Sequence, residues 1–171
     1  MLGFLKLRDQ YLQELESLLA GSCDSLLDCG CGERSPIRAF SRAIRFSVGV
    51  EAHLPALASS RERGIHTAYV AADVRRVDRV FRPRSFDAVL ASDVIEHLEK
   101  SEGERLIGSL ERLARKLVIL FTPNGFLLQG EADGNPFQFH RSGWTPEEMQ
   151  ARGYDVIGVH GWKPLRGERA R

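Results

Sequence analysis

The chain has 171 residues, 43% of them hydrophobic, which is one domain's length with enough apolar material for one continuous core. A net charge of +1 gives no bulk reason to expect a nucleic-acid partner, and the local cluster Arg75, Arg76, Arg79, Arg82 and Arg84 reads as a solvated face. Three cysteines, an odd number, argue against a disulfide framework and for a reduced, cytoplasmic compartment.

Leu2, Leu5, Leu7, Leu12, Leu15, Leu18 and Leu19 alternate with Lys6, Arg8, Asp9, Glu14 and Glu16, which predicts an amphipathic helix over 1–20, too charged to span a membrane. A first strand follows at 24–29, and Ser35 is placed to cap a helix opening at Pro36. Residues 46–51 read as a second strand, and a helix from about Leu54 stops near Gly64. Strand three covers 66–71 and strand four 86–91. Ser101 and Glu104 suggest a capping box for a helix whose apolar face is Leu106, Ile107, Leu110, Leu113 and Ala114. Residues 117–121 are apolar on both faces, as in a central parallel strand. Thr145 to Glu148 opens a short helix ended by Gly153, residues 154–159 supply a sixth strand, and 161–171 reads as a tail. This alternation predicts a three-layer, doubly wound α/β fold with a mainly parallel sheet, whose ligands bind beyond the carboxyl ends of the strands.

Those strand ends carry the informative residues. Asp28 is followed by Gly30, Cys31 and Gly32, a loop that lets a ligand lie against the main chain. A carboxylate at the strand tip would repel a diphosphate but favour a sulfonium and an ammonium, so Asp28 points to S-adenosylmethionine. The third glycine of a dinucleotide fingerprint is absent, its place taken by Ser35. Glu51, 21 positions after Gly30, suits a ribose diol. Asp73 with Val74 suits an adenine amino group and an apolar wall, against the plainer reading of a turn-capping aspartate. Ser92 and Asp93 close strand four on the same side. Asp28 could instead cap the loop's own amides. Cys29 and Cys31 make a poor zinc pair without further ligands.

The segments Leu27-Asp28-Cys29-Gly30-Cys31-Gly32, Val48-Gly49-Val50-Glu51, Ala72-Asp73-Val74 and Phe86 to Leu98 resemble the successive motifs of class I S-adenosylmethionine-dependent methyltransferases. The fourth segment most resembles the small-molecule branch with the ubiquinone-biosynthesis O-methyltransferases. The resemblance implies methyl transfer by in-line displacement to an O, N or C nucleophile of a small-molecule acceptor. Two departures stand out. Glu33-Arg34-Ser35-Pro36 replaces a further glycine, and the family's seventh, antiparallel strand has no room, which leaves a sheet edge for a homodimer or a longer natural chain to cover. Asp93, Glu96 and His97 stand at i, i+3 and i+4. In the ubiquinone-type enzymes such positions are associated with a divalent metal. Three side chains within five residues make a strained cage, so no metal is expected, with Glu96 turned to backbone or solvent and His97 packed beside the cofactor.

His97 and His140 are the candidate general bases, while His53 and His66 read as ordinary surface or strand-end residues. The long connection 124–144 reads as a lid or acceptor loop, with Asn124, Phe137, His140 and Trp144 as candidate acceptor contacts. A cofactor-binding sensor or partner subunit, and a nicotinamide-dependent oxidoreductase, remain the alternatives. No base-methylating motif follows strand four, where Ser92-Asp93-Val94-Ile95 stands, so a nucleic-acid acceptor is not expected.

Overall fold

The computed structural model describes residues 2–130 and 135–159, with side chains of the first helix from Gln10 onward; the expected tail 161–171 lies outside the described residues. Helix α1 (Leu2–Leu19) leads into β1 (Ser25–Cys29), β2 (Phe46–Glu51), α2 (Leu54–Glu62) and β3 (Ala68–Ala71). The second half runs α3 (Val77–Val80), β4 (Phe86–Ser92), α4 (Lys100–Leu113), β5 (Ala114–Phe121) and α5 (Pro146–Ala151). The strands form one parallel sheet in the order β3-β2-β1-β4-β5. Strand order therefore reverses between β1 and β4, where a doubly wound sheet opens a crevice.

Alternation along the central strands feeds two cores. Leu26 and Leu90 face Leu15 and Leu19 of α1 with Ile37, Phe40 and Ile65, while Leu27, Cys29, Val89 and Ala91 face Leu106, Ile107, Leu110 and Leu113 of α4. Asp28 shares the face of Leu26, so its carboxylate enters the layer beneath α1 rather than the α4 side. No helix among the described residues is long and apolar enough to cross a membrane.

Several expectations shift. The turn capped by Ser35 is 3-10 rather than α-helical: Ser35 Oγ accepts from Ile37 N, and Pro36–Ala39 makes a single short turn. Helix α4 starts one residue earlier than Ser101. Glu99 is its N-cap, with Glu102 completing the capping box. Ala114 leaves the helix and opens β5 directly. Residues 117–121 form the edge of the described sheet, not its centre. Both faces are apolar because both are covered, Leu117 and Ile119 by the α1 layer and Val118 and Leu120 by the α4 layer. The expected sixth strand is absent among the described residues, where the sheet has five strands. Residues 154–159 are unpaired; Tyr154 packs on the α4 core and donates from Oη to Glu111 at 2.9 Å, which draws this segment onto the helix instead of the ladder.

Candidate active site

The crevice between β1 and β4 contains a cavity of about 240 Å³ lined by Asp28, Gly30, Gly32, Ser92, Asp93 and His97, among others. The glycine loop is pinned to β2, since the amides of Gly30 and Cys31 both donate to Val50 O at 2.8 and 3.0 Å. Gly30 has φ 74°, and a Cβ there would stand 2.6 Å from Val94 Cγ2, so backbone and packing both require glycine. Asp93 is also left-handed, at φ 53°, with its amide donating to Phe121 O at 2.8 Å. Aspartate tolerates this conformation, and here it turns the chain out of β4 straight into the cavity wall.

Asp28 is 1% exposed, and its Oδ2 accepts from Ser35 Oγ at 2.5 Å while lying 3.2 Å from His66 Nε2. The His66 contact is a close polar approach that lacks the alignment of a hydrogen bond. His66 is thus no surface or strand-end residue: β3 starts only at Ala68, and the ring is buried. Glu51 ends β2 and does not line this cavity itself, but its Oε2 accepts from the amide of Gly32, which does, and its Oε1 accepts from His53 N. Asp73 caps the 3-10 turn after β3 and is gripped by Arg75, whose guanidinium lies 2.6 Å from Oδ2 and holds the carboxyl below its usual range. Val74 is half-buried against the α4 core at the same corner.

The acceptor side is built from the turn after β4 and the long loop that docks on it. Arg141 N and Ser142 N donate to Glu96 O at 2.8 and 3.1 Å, and Ser142 Oγ donates to Ile95 O. This fastening brings His140 against His97, with ring centroids 4.8 Å apart, and Gln138 into the cavity lining. His97 Nδ1 lies 3.2 Å from Phe139 O, and His140 Nδ1 lies 2.7 Å from Leu127 O. Because a carbonyl can only accept, both Nδ1 atoms carry a proton, and in the neutral form of each ring the lone pair lies on Nε2. Burial lowers the His97 pKa further, which favours the neutral ring.

Glu96 turns inward, contrary to the expected contact with backbone or solvent. It is 2% exposed, accepts from Thr122 Oγ1 at 3.0 Å, and has a pKa pushed up to about 8, first by burial and then by the neighbouring Asp93 carboxylate. Its Oε1 has no partner at hydrogen-bonding geometry among the described residues. Glu96, His97 and His140 each offer a ligand atom within 4.8 Å of the others, so these three residues suit a divalent cation. The family resemblance implies Asp93, Glu96 and His97 for such a site, and their close spacing argues against it; in the set the structure brings together, His140 from the loop stands in place of Asp93.

Trp144 leaves the acceptor set. It is 2% exposed in the α4 core, with its indole N–H donating to Ser142 Oγ, so it holds the loop down from beneath. Asn124 bridges to Trp144 at the start of the loop, and Phe137 is 45% exposed. Tyr11 was not anticipated. Its Oη lies 3.1 Å from Ser92 Oγ and its ring 4.3 Å from that of Phe121, so α1 closes the back of the β4 end. Its pKa is pushed up to about 12 by burial, with Asp93 and Asp28 also contributing. In the sequence nothing marks Tyr11 beyond its place within the helix expected over 1–20.

The methyltransferase domain family matches residues 27–122, more than half of the chain. The chain belongs to this family. It is a class I methyltransferase with S-adenosylmethionine as its cofactor. No curated protein matches the chain significantly. Among solved structures, it is similar to the methyltransferase domain of the bacterial protein CtHen1-CN, with 23% identity and a TM-score of 0.63, over 85% of this chain and 81% of that one. A SAM-dependent methyltransferase from Archaeoglobus fulgidus has 19% identity and a TM-score of 0.67, over 85% and 65%. The magnesium protoporphyrin IX methyltransferase of Synechocystis PCC 6803, solved with bound SAM, has 20% identity and a TM-score of 0.55, over 68% and 60%. At these identities the likeness extends to the fold. The chain spans less than two thirds of the length of the last two proteins.

Proposed function

We propose that this methyltransferase moves the methyl group of S-adenosylmethionine onto an O, N or C nucleophile of a small molecule bound under the 135–144 segment. The observation that carries the reading is Asp28, a buried carboxylate in the same cavity as the glycine loop, which is followed by short 3-10 turns and no α-helix before β2. Short 3-10 turns offer little of the helix dipole that a diphosphate uses, and Asp28 opposes an anion there. Both features suit a cationic methionine portion and speak against a nicotinamide cofactor.

In this reading Gly30, Cys31 and Gly32 lie along the methionine portion with Asp28 facing its charge, Glu51 takes the ribose diol, and Asp73 with Val74 meets the adenine. Ser92 and Asp93 flank the sulfonium. The acceptor atom attacks the methyl carbon opposite sulfur, the carbon–sulfur bond breaks, and S-adenosylhomocysteine leaves as a neutral thioether carrying the electron pair. Positioning and exclusion of water supply most of the acceleration. A protonated acceptor gives its proton to Nε2 of His97 or His140, the free nitrogen on each ring.

The triangle of Glu96, His97 and His140 supports a second reading of the same residues, as a site for a divalent cation. Such an ion would lower the pKa of an acceptor hydroxyl and orient it. Manganese titration by calorimetry separates the two: a ligand role predicts binding lost in both Glu96→Gln and His140→Ala, and a base role predicts no binding in the wild type. The edge strand β5 supports a second copy of the chain as a partner.

Incubation with a cell extract and methyl-labelled cofactor, followed by identification of the labelled product, tests the function. A labelled small molecule is expected. Label on protein or RNA instead would displace the small-molecule reading, and cofactor binding with no transfer to any component would favour a sensor. Thermal stabilisation by NADH, with none by S-adenosylmethionine or S-adenosylhomocysteine, would remove the reading altogether.

A further inference from the structure

Ser35 and His66 converge on one oxygen of Asp28, and neither contact follows from the fold alone. Asp28 pairs in register with Gly49 of β2, a position whose missing side chain leaves room above the sheet. A Cβ at Gly49 would stand 2.6 Å from His66 Cδ2 and 2.9 Å from Cys31 Sγ, so the ring and the sulfur fill that room. The ring is held on all sides. Nδ1 lies 3.3 Å from Ser47 Oγ, the backbone amide donates to Tyr69 Oη at 2.8 Å, and the Tyr69 ring packs edge-on at 5.6 Å. Tyr69 is itself anchored by donating to Ser60 O at 2.9 Å. On the other side, Ser35 Oγ donates to Asp28 while accepting from Ile37 N at 3.2 Å, which joins the carboxylate to the turn after the glycine loop.

A buried carboxylate with polar neighbours is expensive, and apolar residues of similar volume would fill this layer at least as stably. Asp28 nonetheless reaches the cavity. Two groups on Oδ2 restrict the rotation that a carboxylate at a strand tip would otherwise have, and neither of them engages Oδ1. A carboxylate fixed before the ligand arrives loses less freedom on binding.

We infer that Ser35 and His66 are positioning residues for the methyl donor: they clamp Oδ2 of Asp28 so that the carboxylate is aimed at the cationic methionine portion. The inference rests on the role given to Asp28 under the proposed function. It also accounts for the departure Glu33 to Pro36, because the serine in place of a glycine supplies the hydroxyl that a glycine lacks.

Calorimetric titration of the full chain with S-adenosylmethionine, paired with melting curves of the unliganded protein, tests it. Ser35→Ala and His66→Phe should each raise Kd by about 5- to 30-fold, the range for losing a hydrogen bond or close contact to a charged group. Ser35→Thr, which keeps the hydroxyl, and His66→Gln, which keeps a polar side chain beside the carboxylate, should stay within about 3-fold of the wild type. In an Asp28→Asn background, Ser35→Ala should cause little further loss, because both changes act through the same carboxylate. A merely structural role would lower the melting temperature of Ser35→Ala with Kd unmoved, or would let the two losses add in full; either result overturns the inference. Should His66→Phe fail to fold, Ser35→Ala and the double variant decide the matter. Normal wild-type binding with unmoved variants refutes the positioning alone, whereas a wild type that binds no S-adenosylmethionine refutes the cofactor assignment on which it depends.

Discussion

Glu51 Oε2 accepts the amide hydrogen of Gly32 at 3.0 Å, so the carboxylate at the end of β2 braces the glycine loop that β1 delivers. Its other oxygen accepts from His53 N at 2.7 Å. The side chain is therefore held by two backbone amides before any ligand binds. Glu51→Gln is expected to weaken S-adenosylmethionine binding by about 10- to 100-fold, the scale of one hydrogen bond to a charged acceptor. Calorimetry on the variant checks this. An unchanged Kd with a lowered melting temperature would mean that Glu51 only braces the loop.

Arg75 holds Asp73 through its amide, Nε and Nη2 at once. The carboxyl of Asp73 consequently titrates below its usual range, with the Arg75 side-chain bond as the largest cause. A depressed folded pKa contributes stability above the unfolded value, and that contribution is lost as pH falls through the folded one. The wild type should therefore lose a small increment of stability below roughly pH 4, and Arg75→Ala should lack that increment. Carbon-13 NMR of the aspartate carboxyls is the direct measurement, with the Asp73 midpoint rising toward the ordinary range in Arg75→Ala. The pair is partly exposed, so the effect on global stability is small.

Cys29 and Cys31 flank Gly30, yet neither is poised to react. Burial raises both thiols well above the ordinary range, and the Asp28 carboxylate adds to the shift. The thiolate is the reactive form, so iodoacetamide at pH 8 should leave both unmodified in the native protein and label both after unfolding. Mass spectrometry of the peptide carrying residues 29–31 reads the result. Fast native labelling would mean that the loop opens readily.

Much of this architecture was visible along the chain, because apolar runs and strand-end acids are local patterns. Asp28, Gly30, Gly32, Ser92, Asp93 and His97 could each be placed at the cavity from their positions after β1 and β4. What stayed hidden depends on contacts between distant segments. His66 becomes a partner of Asp28 only because Gly49 leaves space between them, and His140 meets His97 only because the loop is fastened to Glu96 and Ile95. Trp144 misled for the opposite reason. An aromatic residue in a polar loop suggests a ligand wall, whereas this one fills a notch in α4.

That notch gives a prediction with a built-in contrast. A Cβ on Gly103 would lie 2.5 Å from Trp144 Cζ2 and 3.4 Å from Ile95 O. The ring cannot readily yield, because its N–H is bonded to Ser142 Oγ and Lys100 Nζ sits 3.6 Å from its centroid while donating to Gly143 O at 2.7 Å. Replacing a mid-helix glycine by alanine normally stabilises by up to about 1 kcal/mol, but forced overpacking costs about 1–3 kcal/mol, so Gly103→Ala should be destabilising. Gly108 lies in the same helix, and its nearest neighbour to an added Cβ is the end of the Arg112 side chain at 3.6 Å, which leaves room. Gly108→Ala should therefore raise the melting temperature where Gly103→Ala lowers it. Thermal melts of the two variants decide the point, and a stabilised Gly103→Ala would show that Trp144, and the loop it anchors, can move off α4.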